Sequence, residues 1–227
     1  MNRKIKLLIL LLLSMSVYFI YQSTKNNTYT ITNIGDSLSL GINSYGIKEY
    51  SYVDYYKEYL SNIKNNIIVN NIKDKELSIS NLLLTIKNKQ SIKKDLYDTD
   101  ILILTIGYND LIYDISIEDN INELKLNNII KKININYNEL IKEIRKYYKE
   151  KIIVIGYPTS NKDNIYINKG IIRLNNILKN NKEIIYIDTY NLLSNRRKYF
   201  SNPNSNYPNK YAYMTISNKI IEKTLEK

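Results

Sequence analysis

The unbroken apolar run Asp100–Ile106 (DILILTI) constrains this chain more than any other segment. A strand with one wet face alternates apolar and polar residues. A continuous apolar strand is buried on both faces, as in the centre of a parallel sheet covered by helices. The flanking sequence fits that condition. Strand-like runs at Tyr29–Ile34 (YTITNI), Asn66–Asn71 (NIIVNN), Lys151–Ile155 (KIIVI) and Glu183–Ile187 (EIIYI) alternate with helix-like runs at Tyr50–Leu60, Ile79–Asn88, Tyr166–Lys179 and Tyr211–Leu225. Residues 118–149 read as one long or two broken helices, with Ile130, Ile133, Leu140, Ile141 and Ile144 as the apolar stripe. Arg196–Lys210 reads as a loop rich in Asn, Ser and Pro. Such alternation predicts an α/β fold with helices on both faces of the sheet and functional loops at the carboxyl ends of its strands. There is no internal repeat and no linker long enough for a second folded domain.

The start of the chain has a different character. Met1–Lys6 is short and basic, and Leu7–Tyr21 (LLILLLLSMSVYFIY) is almost wholly apolar over 15 residues. A basic head before an apolar stretch reads as an export signal or signal anchor, although a spanning helix prefers about 20 residues. No small-x-small cleavage site follows, so an uncleaved anchor is the expectation. Residues 1–27 then form one N-terminal membrane helix with a short linker, and residues 28–227 the folded domain. The basic residues keep the N-terminus in the cytoplasm and leave the domain outside the cell membrane, or secreted if the segment is cleaved. A buried core helix is the competing reading, but the segment is apolar on every face.

Composition removes several kinds of chemistry. The 227 residues include no Cys and no His. Disulfides, lipid attachment through Cys, thiolate metal sites and imidazole bases are thereby excluded. No metal and no cofactor is expected. The net charge is +11, but its lysines are interleaved with acids and form no compact basic cluster, so no nucleic-acid partner is expected. Ile, Asn, Lys and Tyr dominate. Their codons are rich in A and T, which reads as genome-wide drift.

Two turns carry candidate chemistry. The first strand runs into Gly35-Asp36-Ser37-Leu38-Ser39-Leu40-Gly41. A Ser just after a strand, where a helix begins, projects its hydroxyl into the crevice and has a backbone N–H ready for an oxyanion. Plain N-capping by Asp36 or Ser37 is the competing explanation. The third strand runs into Gly107-Tyr108-Asn109-Asp110. There an Asn amide can donate to the same developing charge, or simply cap the next helix. No Gly-x-Gly-x-x-Gly or Gly-x₄-Gly-Lys-Ser/Thr is present, which argues against a nucleotide-binding α/β protein. The Gly-x-Ser-x-Gly elbow is missing too.

Together, Gly-Asp-Ser after strand one and Gly-x-Asn-Asp after strand three resemble the SGNH/GDSL hydrolase family. The resemblance covers roughly residues 28–226. It implies a three-layer α/β/α sandwich (SGNH/flavodoxin-like) around a five-stranded parallel sheet. It also implies acyl-ester hydrolysis or transfer on a small-molecule, lipid or glycan ester. Carried over by motif, Ser37 takes the nucleophile's place, with Asn109 and the Ser37 N–H as oxyanion donors. Gly35, Asp36, Gly107 and Asp110 complete the two motifs.

Two family positions depart from the pattern. The Gly expected after strand two, a further oxyanion N–H, falls on Glu76, whose charge would oppose an oxyanion. The Asp-x-x-His-Pro expected before the last helix reads Asn204-Ser205-Asn206-Tyr207-Pro208. Tyr207 stands at the His position and Asn204 at the Asp position. A phenol with an ordinary pKa of about 10 is a poor base near neutral pH. Lys73, Lys75 and Glu76, in the loop nearest the site, are the candidates for a replacement. His to Tyr, Asp to Asn and Gly to Glu are each one G/C-to-A/T step. Two functions follow: an impaired serine ester hydrolase, or an inactive pseudo-hydrolase that binds a glycan, lipid or protein at the cell envelope. The oligomeric state is open.

Overall fold

The computed structural model describes residues 3–26, 28–158, 165–202, 205 and 207–225. Its sheet is built from β1 (Thr28–Gly35), β2 (Asn66–Lys73), β3 (Ile101–Thr105), β4 (Ile152–Ile155) and β5 (Ile184–Ile187). All neighbours run parallel in the order β2-β1-β3-β4-β5. The helices are α1 (Arg3–Asn26), α2 (Tyr52–Ser61), α3 (Ile79–Asn88), α4 (Gln90–Tyr97), α5 (Tyr108–Ser116), α6 (Glu123–Ile144), α7 (Ile165–Asn180), α8 (Thr189–Leu192), α9 (Arg196–Tyr199) and α10 (Lys210–Leu225). One layer pairs α2 with α10; the other packs α3, α5, α6 and α7 together. This is the expected α/β fold with five parallel strands and helices on both sides.

β3 is buried along its whole length, as its composition requires. Its neighbours β1 and β4 supply Ile31, Ile34, Ile152, Ile153 and Val154 to the same core. The stripe of α6 is displaced from the expected one: Leu126, Ile129, Ile133, Tyr137, Leu140, Ile141 and Ile144 are buried, and Ile130 is only half-buried. Tyr137 takes the slot at helical spacing that a reading restricted to aliphatic residues passes over.

Four short helices depart from the sequence expectation. Gln90–Tyr97 is polar enough to read as loop, yet it turns Ile92 and Leu96 inward. Tyr108–Ser116 begins inside the Gly107–Asp110 turn. Gly107 makes that possible with φ +114°, a conformation that side chains other than glycine rarely adopt. Thr189–Leu192 and Arg196–Tyr199 are single turns, the second within the predicted Arg196–Lys210 loop.

The N-terminal segment forms one helix, α1, and its described side chains from Ile5 to Phe19 are exposed. Among the described residues, no helix is long and apolar enough to cross a membrane.

Strand order sets the place of the site. The chain goes from β1 outward to β2, then crosses back to β3 on the other side of β1. The carboxyl ends of β1 and β3 therefore flank a topological switch point, where open α/β sheets form crevices. Gly35 lies beside Thr105 in the register, and Asp36 N–H donates to the Thr105 carbonyl at 3.1 Å. The Gly-Asp-Ser and Gly-x-Asn-Asp turns share one rim.

Candidate active site

The turn after β1 is built by Asp36. Its carboxylate accepts the Leu38 N–H at 3.1 Å, and its carbonyl accepts both the Ser39 N–H at 3.0 Å and the Ser39 hydroxyl at 2.7 Å. Bonds from Leu40 N–H to Ser37 O and from Gly41 N–H to Leu38 O continue the turns. No helix grows from them, contrary to expectation. Gly41, at φ +75°, redirects the chain so that Glu49 N–H meets its carbonyl. The Ser37 N–H is thus a local donor without a helix dipole behind it. Gly35 is needed for close approach: a Cβ there would lie 2.8 Å from the Thr105 carbonyl oxygen and 2.7 Å from Ser39 Cβ.

Ser37 is 9% exposed. Among the described residues, neither its hydroxyl nor its backbone N–H has a hydrogen-bond partner. It opens on a hollow of about 70 Å³ lined by Leu38, Tyr108, Tyr157, Pro158 and Tyr207. The space suits a small acyl group. Tyr207 is fixed there through its backbone: its N–H donates to Ser205 Oγ at 3.0 Å and its carbonyl accepts from Ser44 Oγ at 2.9 Å. The residue at the expected His position thus shares the Ser37 hollow. Asn204, at the expected Asp position, lies outside the described residues.

Asn109 sits in the first turn of α5, on the same rim but turned to the other side. Its amide nitrogen donates to the carbonyls of Lys75 and Leu77, both at 2.9 Å. Those two bonds use both of its N–H groups. Asn109 here ties down the β2–α3 loop instead of presenting a free donor beside Ser37. Glu76 behaves alike: its N–H donates to Asp74 Oδ1 at 2.9 Å. Of the three expected oxyanion donors, only the Ser37 N–H is open in this arrangement.

Asn109 and Glu76 instead border a larger cavity of about 650 Å³ between α3, α5 and α6. Ser78, Tyr113, Asn136 and the Asp114–Lys132 ion pair at 2.9 Å also line it. Asp110 faces this cavity, and its carboxylate accepts the Ile79 N–H at 3.0 and 3.2 Å, fastening α3 to α5. Burial raises its pKa above the ordinary carboxylate value. Lys73, Lys75 and Glu76 are absent from the lining of the Ser37 hollow. Burial also lowers the pKa of Lys73, whose charged neighbours are Asp54 and Lys48. Among the described residues, no group of three or more acidic side chains could hold a metal ion.

The sequence reading passed over one side chain. Tyr157 follows β4 in Gly156-Tyr157-Pro158, and a Gly-x-Pro strand exit on the functional rim was the available signal. Its hydroxyl donates to Asp36 Oδ2 at 2.5 Å. Asp36 is fully buried, and that burial pushes its pKa up from 3.8 to about 7, against the opposing hydrogen bond from Tyr157. The folded carboxyl therefore keeps its proton over a range where the unfolded one has lost it. Between about pH 4 and pH 7 the native state binds more protons, so this group's contribution to stability falls as pH rises through that window. Asp36→Asn removes this slope. Denaturant midpoints at pH 4.5 and 7.5 should drop more for the wild type than for the variant; equal drops would contradict the assignment.

A parallel sheet between two helix layers thus carries, at its switch point, a serine with no hydrogen-bond partner among the described residues. The family model of GDSL-like lipases and acylhydrolases matches residues 31–218, and the chain belongs to that family. A comparison with curated protein sequences finds no match. Among solved structures, a lipase from a goat rumen metagenome superposes with a TM-score of 0.73 at 22% identity, over 86% of this chain and 96% of that one. An acetylxylan esterase from Geobacillus stearothermophilus gives 0.61 at 16%, over 88% and 95%. A lipase/acylhydrolase from Enterococcus faecalis gives 0.60 at 17%, over 86% and 94%. At these identities the likeness speaks for the fold.

Proposed function

We propose that the domain is a slow serine ester hydrolase acting on small acyl esters, with Ser37 as the nucleophile. One observation carries this reading: among the described residues the Ser37 hydroxyl and N–H are both unengaged, side by side, in a small hollow at the switch point. Attack by Oγ on an ester carbonyl would place the developing oxyanion near that N–H. The size of the hollow favours an acetyl-sized acyl group, and the cavity of about 650 Å³ bordered by Asn109, Ser78, Tyr113 and Asn136 could take the rest of a glycan-like substrate. The fold likeness to an acetylxylan esterase is consistent with such a substrate.

Slowness follows from the missing parts. No imidazole exists in the chain, and the Asn109 amide must leave the Lys75 and Leu77 carbonyls before it can serve an oxyanion. The same engaged amide favours a second reading, an inactive relative that binds a glycan, lipid or protein in this crevice. Hydrolysis of p-nitrophenyl acetate by the wild type and by Ser37→Ala separates the two.

We also propose that α1 holds the domain at the outer face of the cell membrane. The apolar run Leu7–Tyr21 behind a basic head supports this. The full chain should sediment with membranes; recovery in the soluble fraction would overturn the tether.

A further inference from the structure

The reading of Ser37 as nucleophile leaves its proton without a destination, and the crevice contains one. We propose that Tyr157 and Asp36 together replace the missing imidazole, Tyr157 taking the Ser37 proton as it passes its own to Asp36. This rests on the proposed ester hydrolysis.

Four features of the fold support the pair. Tyr157 lines the same small hollow as Ser37. Its hydroxyl is already committed as a donor to Asp36 Oδ2 at 2.5 Å and accepts a backbone hydrogen bond from Tyr108, which leaves one oxygen lone pair for a second donor. Asp36 Oδ1 is held by the Leu38 N–H, so the carboxylate cannot swing away. Tyr157 is held with equal care: its N–H donates to Asn175 Oδ1 at 2.9 Å, and Asn175 Nδ2 donates back to its carbonyl at 2.8 Å. Asn175 is itself buried, and the Tyr157 ring stacks on Tyr108 with centroids 5.4 Å apart. A capping interaction at Asp36 would need none of this clamping 121 residues away.

The electrostatics favour a relay over a free base. Asp36 is faced by Asp110 from α5 and by the phenols of Tyr52 from α2, Tyr213 from α10 and Tyr157. None of these brings a positive charge. An oxyanion at Ser37 beside an ionised Asp36 would put two negative charges in one buried place. Moving the proton to Asp36 as the oxyanion forms keeps the count at one. Burial and the Asp36 charge hold the Tyr157 pKa well above its usual value, so Tyr157 passes a proton on and does not ionise. The Asp36 pKa of about 7 matches a base working near neutrality.

The step balances without a co-reactant. Ser37 Oγ bonds to the ester carbon, the carbonyl π pair moves to oxygen, the Ser37 proton goes to Tyr157 Oη, and the Tyr157 proton goes to Asp36 Oδ2. On collapse the ester C–O bond breaks and its electron pair leaves with the alcohol oxygen. That oxygen takes a proton from Tyr157, which recovers one from Asp36. Water then repeats the sequence on the acyl-serine, with Ser37 Oγ as the leaving group. Asp36 acts through Tyr157 and is a positioning residue and proton store.

The test uses the full chain and p-nitrophenyl acetate from pH 5 to 9, with circular dichroism on each variant. In the wild type, kcat/KM should rise through about pH 7 and level off as Asp36 ionises. Tyr157→Phe, which keeps the ring, should lower kcat/KM by about 100-fold, the low end for a positioned base, and erase that rise. A flat wild-type profile overturns the relay even if the variant fails to fold. So does a Tyr157→Phe rate and profile equal to wild type while Ser37→Ala is inactive, a result that leaves the nucleophile standing. Turnover indifferent to Ser37→Ala, or no turnover at all, overturns the ester-hydrolase reading and the relay with it.

Discussion

Tyr207→His combined with Asn204→Asp should raise kcat/KM for p-nitrophenyl acetate by about 10²- to 10⁴-fold, the usual worth of a positioned general base. Tyr207 lines the Ser37 hollow, and two backbone hydrogen bonds hold it there. An imidazole on that backbone enters the space the Ser37 hydroxyl faces. The aspartate is needed to hold the ring in the tautomer that accepts from serine, because an amide in its place favours the wrong one. The single Tyr207→His variant should therefore gain far less than the pair. Tyr157→Phe should cost the double variant little, since the imidazole takes over the proton. A folded double variant with wild-type rates would show that residues 204–208 do not occupy the family's acid–base position.

Ser37→Ala should reduce turnover to the uncatalysed background while leaving the fold intact. Among the described residues that line the hollow, Oγ is the only aliphatic hydroxyl, and the other polar side chains are the phenols of Tyr108, Tyr157 and Tyr207. Deleting it strands no buried donor, because the hydroxyl has no hydrogen-bond partner among the described residues. The change in unfolding free energy should stay within about 0.5 kcal/mol, as for substitutions that leave no cavity, charge or polar group uncompensated. Activity and stability are thus predicted to separate cleanly at this position. A variant that still turns over substrate would move the chemistry elsewhere; one that loses both would make Ser37 structural.

The frame was legible because burial writes itself into composition. Asp100–Ile106 could hardly be anything but a central strand, and the β1 and β3 exits had to meet once the strands were parallel. The tethers inside the crevice were not legible. Asn109 is held by the carbonyls of Lys75 and Leu77, and a backbone carbonyl leaves no mark in sequence. Tyr157 meets Asp36 across 121 residues, from a Gly-x-Pro strand exit that looks like any turn. The helix expected at Ser37 fails for a local reason, since Asp36 satisfies its own turn and Gly41 diverts the chain. α4 was missed because two of its eight residues, Ile92 and Leu96, provide all its buried contact.

The central claim is that the Ser37 hydroxyl is a nucleophile facing an acyl-binding hollow. Its most direct test is mass-spectrometric mapping of the full chain after treatment with a fluorophosphonate, an electrophile that an attacking serine captures and whose adduct the mapping places at one residue. A single adduct on the peptide containing Ser37, gone in Ser37→Ala, is the predicted result. Intact folded protein that takes up no probe, or carries it at another residue, would contradict it.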